Sequence, residues 1–241
     1  MSSRIKQVVE LLRDRILSGD IVHGERIGEI RFAEDLAVSR TPIRLALEEL
    51  EREGLVERAG KRGFRVRAFP LKHVSDAIDV RGTLEGMAGR ILAENGMSAE
   101  TERLLSSHVE AGAALLRSTA SAGPDPSDWA QVNAAFHQTL IEAAGNQALL
   151  DALKVNAHVP LASPAAVTFT PAVGEYALEM LREAQRDHET LLRALKLREA
   201  SRAEAILREH ARRSRDVKMQ IIEKLRDQKE RSGVPELARV V

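Results

Sequence analysis

The stretch from Val38 to Leu50, Val-Ser-Arg-Thr-Pro-Ile-Arg-Leu-Ala-Leu-Glu-Glu-Leu, constrains this chain more than any other. Ser39 stands where a helix N-cap belongs, and Pro42 falls in the first turn, where its missing N–H costs nothing. Ile43, Leu47 and Leu50 recur at helical spacing and form one apolar face. Ser39, Arg40, Thr41 and Arg44 crowd the other face of the same turn. A helix tipped with arginine and hydroxyl groups, its apolar side held by a small domain, has the form of a DNA recognition helix.

The residues on either side complete such a domain. Ile5, Val8, Val9, Leu12, Ile16 and Leu17 predict a first helix over 4–18, ended by Gly19 and Asp20. Ile21 to Arg26 reads as a turn around Gly24. A second helix is expected over Glu29–Leu36, burying Phe32, Ala33 and Leu36. Only Ala37 and Val38 separate it from the recognition helix, the short link a helix-turn-helix needs. Gly54 is placed to end the third helix. Leu55–Arg58 and Phe64–Arg67 are two β-prone runs around a glycine-containing turn, a hairpin. It carries five basic residues from Arg58 to Arg67 and no acidic one between Arg58 and Arg67. Such a hairpin after a helix-turn-helix is a wing, whose backbone amides, Lys61 and Arg62 can contact phosphate or a minor groove.

Composition agrees without pointing to a partner. Lys+Arg and Asp+Glu balance at 36 each, so any cationic surface must be local. Aromatic residues are 3% and charged residues 30%, with Ala, Leu, Arg and Glu abundant, which favours a mainly helical protein. Cysteine is absent, so disulfides and thiolate metal sites are excluded. No signal core and no run of 18 apolar residues is present, so a cytoplasmic protein without a membrane partner is expected.

Pro70 marks the end of the first domain, with a linker over 68–72. The expected layout is a DNA-binding domain over 1–68, a junction over 69–72, an all-α domain over 73–230 and a frayed tail over 231–241. Helices are expected near 71–95, 98–120, 126–144, 147–157, 173–198 and 201–230. The 158–172 stretch, with Pro160, Pro164 and Pro171, reads as an irregular loop.

Three histidines in this half sit at apolar helical spacing. Asn133 and His137 are four apart and share a face with Phe136 and Leu140 nearby. His188 lies beside Leu191, Leu192 and Leu195, and His210 beside Ile206 and Leu207. Three imidazoles and an oxygen donor, if they converge, suit Zn²⁺, Ni²⁺ or Mn²⁺. A core histidine is more often bonded to backbone or a carboxylate, and spacing alone does not bring the three helices together. Arg81 can grip a carboxylate through its guanidinium, or simply pair with Glu85 one turn on. His23, His73, His108 and His158 show no convergent pattern.

Two motif sets carry a family resemblance. Val38-Ser-Arg-Thr-Pro-Ile-Arg44, Ala46-Leu47, Leu50 and Gly54-Leu-Val56, with Ile16-Leu-Ser-Gly19 and Gly24-Glu-Arg-Ile27, resemble the N-terminal domain of GntR-family bacterial transcription regulators. The resemblance implies DNA contacts from Ser39, Arg40, Thr41 and Arg44, with Gly63 at the wing tip. Ile30 stands where many members carry a DNA-contacting arginine. Arg31 beside it is counted with the DNA-binding set, although it points elsewhere on the helix. Arg81-Gly-Thr-Leu-Glu85, Asn133-Ala-Ala-Phe-His137, Gly145-Asn146-Gln147-Ala-Leu149, Asp187-His188-Glu189 and Glu209-His210 resemble the FCD domain of the FadR-type branch. Members often bind a divalent metal through three histidines and an aspartate. His137, His188 and His210 map onto the histidines, and Asn133 onto the carboxylate position, a weaker ligand. The resemblance also implies Arg81 in an effector cavity, a small organic acid as effector, and a homodimer on a pseudo-palindromic DNA operator. The fold class expected is thus mainly α: a winged helix-turn-helix with a short hairpin wing, followed by an all-α bundle. A regulator without metal, or a metal-dependent hydrolase, are the alternatives; the second lacks a nucleophile motif and an evident general base.

Overall fold

A computed structural model of the chain describes residues 3–60, 63–68, 70–117, 126–157, 159, 161–164 and 174–231. The chain divides into two compact units, Met1–Ala68 with Lys218–Val241, and Phe69–Val217.

The first unit is built on α1 (Ser3–Leu17), α2 (Glu29–Asp35) and α3 (Arg40–Arg52). Val8, Leu12 and Ile16 of α1, Phe32 of α2, and Ile43, Leu47 and Leu50 of α3 are all buried, as their spacing predicts. Arg13 of α1 ties to Glu53, just past α3, through two hydrogen bonds of 2.9 and 2.5 Å. Gly54 follows with φ +75°, a left-handed conformation that lets the chain leave α3 and enter a strand.

The sheet has three strands, one more than the hairpin expected. β2 (Val56–Arg58) and β3 (Phe64–Val66) form the wing, and β1 (Arg26–Ile27) adds to the other side of β3, giving the antiparallel order β1-β3-β2. Arg26, expected in a turn, instead pairs with Arg65, and Ile27 pairs with Phe64. A two-residue strand has too little alternation to be read from sequence. It forms because Ile27 and Phe64, 2% and 1% exposed, share one buried face.

The second unit contains α4 (Leu71–Asn95), α5 (Ala99–Arg117), α6 (Pro126–Ala143), α7 (Gln147–Asn156), α8 (Gly174–Lys196) and the first part of α9 (Ala200–Arg231). These bounds fall within a few residues of those predicted. α4 starts at Leu71, the first residue of the helix expected over 71–95, with Pro70 as its N-cap. Most of the 158–172 stretch, Lys61, Arg62 and the tail beyond Arg231 lie outside the described residues. The core joins Leu92 of α4, Leu105 of α5, Phe136 and Leu140 of α6, Leu191 and Leu195 of α8, and Leu207 of α9. Among the described residues no helix is long and apolar enough to cross a membrane.

Glycine sets the distance between α4 and α9. A Cβ at Gly82 would stand 2.5 Å from Ala211 Cβ, and one at Gly89 2.5 Å from Leu207 Cδ1. Gly86, between them, faces Glu204 and Arg208. The three lie on one face of α4 and let the α9 backbone come close.

Two stability predictions follow from this packing. Gly82→Ala gains about 1 kcal/mol of helix propensity, but overpacking against a fixed methyl costs roughly 1–3 kcal/mol. A lower melting temperature is therefore expected in thermal unfolding. Asp14 is pushed up from 3.8 to about 6, chiefly by burial with Arg13 opposing, and its Oδ1 has no hydrogen-bond partner among the described residues. A raised carboxyl pKa means that stability falls as pH rises from about 4 to 6. Asp14→Asn should therefore stabilise the protein at pH 7.5 by on the order of 1 kcal/mol, discounted for partial exposure, and show no gain at pH 4.

Candidate nucleic-acid interface and metal centre

The N-terminal turn of α3 separates cleanly into two faces. Ile43, Ala46 and Leu47 are fully buried, while Ser39, Arg40, Thr41 and Arg44 are exposed. Ser39 occupies the N-cap with φ −71° and ψ 165°, but its hydroxyl makes no capping bond. The amides of the first turn are therefore not capped by Ser39, at the positive end of the helix dipole. Arg40 leans toward Glu29 at 3.4 Å and Arg44 toward Glu48 at 3.5 Å, with their side chains 66% and 62% exposed. Exposed pairs of this kind are worth little and exchange readily for a phosphate.

Arg31 is 70% exposed, packs over the Phe32 ring at 5.7 Å and faces Glu25 and Asp35. Ile30 beside it is also exposed. On the wing, Gly63 has φ +103°, a conformation for which glycine is suited, and its carbonyl accepts from the Ala59 amide at 3.0 Å. Arg58 lies over the Phe64 ring at 4.7 Å and reaches Glu51.

In the second unit the three histidines converge from three helices, His137 from α6, His188 from α8 and His210 from α9. Each offers one nitrogen, all within 4.8 Å of one another, and the ring centroids are 5.1–5.3 Å apart. All three are buried. His188 stacks on Phe136 at 4.2 Å and lies parallel to Trp129 at 6.4 Å. Burial, reinforced by the neighbouring imidazoles, holds His188 well below its ordinary pKa. Burial also lowers His210, against the pull of Asp187. Neutral imidazole is the form that donates a lone pair to a metal.

Unsatisfied polar atoms gather around these rings. Among the described residues, both ring nitrogens of His137, Nε2 of His188, Oδ1 of Asn133, both carboxylate oxygens of Glu85 and Nε of Arg81 are buried without a hydrogen-bond partner. Each such group costs about 1–3 kcal/mol if nothing meets it. The imidazole nitrogens and the amide and carboxylate oxygens among them carry lone pairs that a divalent cation and its water would satisfy, whereas the Arg81 N–H calls for an acceptor.

Glu85 is the residue that sequence reasoning undervalued. It was expected only as a pairing partner for Arg81. It is instead fully buried, with Oε2 3.0 Å from His137 Nδ1, off hydrogen-bond alignment, and Oε1 3.5 Å from Arg81 Nε. Burial disfavours its charge, but His137 and Arg81 outweigh that and hold its carboxyl well below the usual range. The signal available was the i,i+4 pair Arg81–Glu85 on the same side of α4 as the small residues Gly82 and Gly86.

Asn133 is buried beside the site's helix turn, but its Nδ2 donates to the Pro164 carbonyl at 2.7 Å. Arg81 is likewise engaged, donating to the Ala162 carbonyl while facing Glu85. Arg81, Glu85 and His137 line a cavity of about 190 Å³ with Ile141, Leu153 and Lys154 on other sides. Of the remaining histidines, His108 contacts Thr139 and His23 contacts the Arg67 carbonyl, and neither joins the cluster.

Comparison with known proteins agrees with both halves. The model for "Bacterial regulatory proteins, gntR family" matches residues 4–66, and that for "FCD domain" matches residues 76–213. The chain is 32% identical over 146 residues to the "Probable D-xylose utilization operon transcriptional repressor" of Paenarthrobacter nicotinovorans, covering 61% of this chain and 62% of that protein. It is 28% identical over 148 residues to the uncharacterized HTH-type transcriptional regulator YdhC of Bacillus subtilis, covering 61% of this chain and 64% of that one. The match thus spans less than two thirds of either relative. In structure it resembles E. coli McbR/YncC with a TM-score of 0.55 at 22% identity, over 95% of this chain and 100% of that one.

Proposed function

Because the chain belongs to the gntR family of bacterial regulatory proteins, in the branch that carries an FCD domain, we propose that it is a DNA-binding transcription regulator controlled by a small acidic metabolite beside a divalent metal ion. The observation that carries the DNA half is the exposed tip of α3. Ser39, Arg40, Thr41 and Arg44 stand on one side of it, and the fully buried Ile43, Ala46 and Leu47 hold the other. The tip enters the major groove, with Arg44 reading a base edge and the hydroxyls and amides meeting phosphate. Lys61, Arg62 and Gly63 of the wing contact the backbone or minor groove, and Arg31 adds a flanking phosphate contact. Two copies bind a pseudo-palindrome, one recognition helix to each half-site.

The observation that carries the sensory half is the convergence of His137, His188 and His210 amid unsatisfied polar atoms. The three imidazoles fit Zn²⁺, Ni²⁺ or Mn²⁺, with the Asn133 amide oxygen as the fourth donor. An asparagine brings no charge, and Glu85 beside His137 supplies the negative group that the donor set lacks. When bound, the ion supplies a Lewis-acidic positive charge that attracts an anionic metabolite. Arg81 and Lys154, on the walls of the adjoining cavity, favour the same sign of ligand. A carboxylate entering there competes with Glu85 for the Arg81 guanidinium, so effector binding moves the Glu85 side chain that faces His137. By linkage, operator and effector alter each other's affinity by the same factor.

Arg44→Ala is expected to weaken operator binding by about 1–3 kcal/mol and to relax specificity at one base position in gel-shift titrations. Unchanged specificity removes Arg44 from base readout. His188→Ala should lower metal content, read by atomic emission after dialysis against Zn²⁺, while DNA binding by the first unit persists. Metal stoichiometry equal to wild type removes His188 from the site.

A further inference from the structure

We propose that Asp187, anchored by Arg213, is the positioning carboxylate of the histidine centre, fixing the His210 ring so that its Nε2 is the donor. The inference rests on the metal reading above and adds a residue to it. Asp187 Oδ2 stands 3.1 Å from His210 Nδ1 in hydrogen-bond alignment. The Arg213 guanidinium donates to the other oxygen, Oδ1, and also reaches Glu209 at 3.3 Å. A carboxylate bound to a guanidinium is ionised and only accepts, so the ring nitrogen facing it must carry the proton. The lone pair of His210 is then on Nε2. Both partners are largely out of water, with side chains 8% and 18% exposed, so the bond is not diluted by solvent.

The position of Asp187 in the chain gives the bond a second effect. Asp187 precedes His188, so α8 carries one donor of the triad and the group that orients another. Two of the three rings are thereby tied through α8, and α9 presents His210 at a set angle. Among the described residues His137 has no equivalent: its approach to Glu85 is close but unaligned. Partners of this kind typically change metal affinity by about 10- to 100-fold without being ligands.

The test uses the full chain, with Zn²⁺ affinity measured by competition with a chromophoric chelator and with Co²⁺-loaded protein followed by proton NMR. Asp187→Asn and Asp187→Ala should keep the metal stoichiometry but raise Kd by about 10- to 100-fold, with Arg213→Ala between them and wild type. Wild type should show a hyperfine-shifted, exchangeable Nδ1–H resonance that is absent from the Asp187→Ala spectrum and from a His210→Ala control. A role for Asp187 in helix packing alone would lower the apo melting temperature but leave Kd and that resonance unchanged. Asp187 variants with wild-type Kd and the resonance intact overturn the proposal. Wild type that binds neither ion overturns the metal reading itself, a distinct result.

Discussion

An imidazole can enter an apolar core only if something there meets its nitrogens, and the helical half of this protein brings in three. His137, His188 and His210 are buried around Phe136, and the carboxylates that reach them are Glu85, 3.0 Å from His137, and Asp187, 3.1 Å from His210. The order of the surrounding elements follows from that. α6, α8 and α9 must converge, α4 must lie close enough to bring Glu85 to the same place, and glycines at positions 82, 86 and 89 permit that closeness against α9. The polar centre and the small-residue seam are two aspects of one packing problem.

Much of this was legible before any coordinates. Helix bounds could be read because apolar residues recur at helical spacing and because Gly54, Gly96 and Gly145 stand where helices end. The two faces of α3 follow from the same spacing. The histidines were visible as candidates, since each lies among leucines and isoleucines four residues away. Their convergence was not, because it depends on the crossing of helices separated by dozens of residues. Glu85 escaped for a related reason. An i,i+4 arginine–glutamate pair looks the same on a solvated face as in a core, and only tertiary packing tells them apart. β1 escaped because two residues carry no period.

Arg81 shows how a sound chemical expectation can meet an occupied partner. A guanidinium in a cavity suits a carboxylate ligand, yet this one already touches Glu85 and the Ala162 carbonyl. A ligand acid therefore does not meet a bare cation. It meets a pair, and binding becomes an exchange of one carboxylate for another. Such an exchange leaves the buried Glu85 in need of another partner, and it converts ligand entry into movement of a side chain that also faces His137.

The same kind of exchange governs the proposed DNA surface. Arg40, Arg44 and Arg58 each lean on a glutamate of their own domain. Engaging a phosphate frees Glu29, Glu48 or Glu51 close to a polyanion, and that repulsion offsets part of the attraction. Random duplex, offering only phosphates, gains little from the swap, whereas a cognate sequence adds base contacts that no internal carboxylate mimics. The pairing thus acts as a built-in discount on indiscriminate adhesion, and it suits a chain whose total charge is zero.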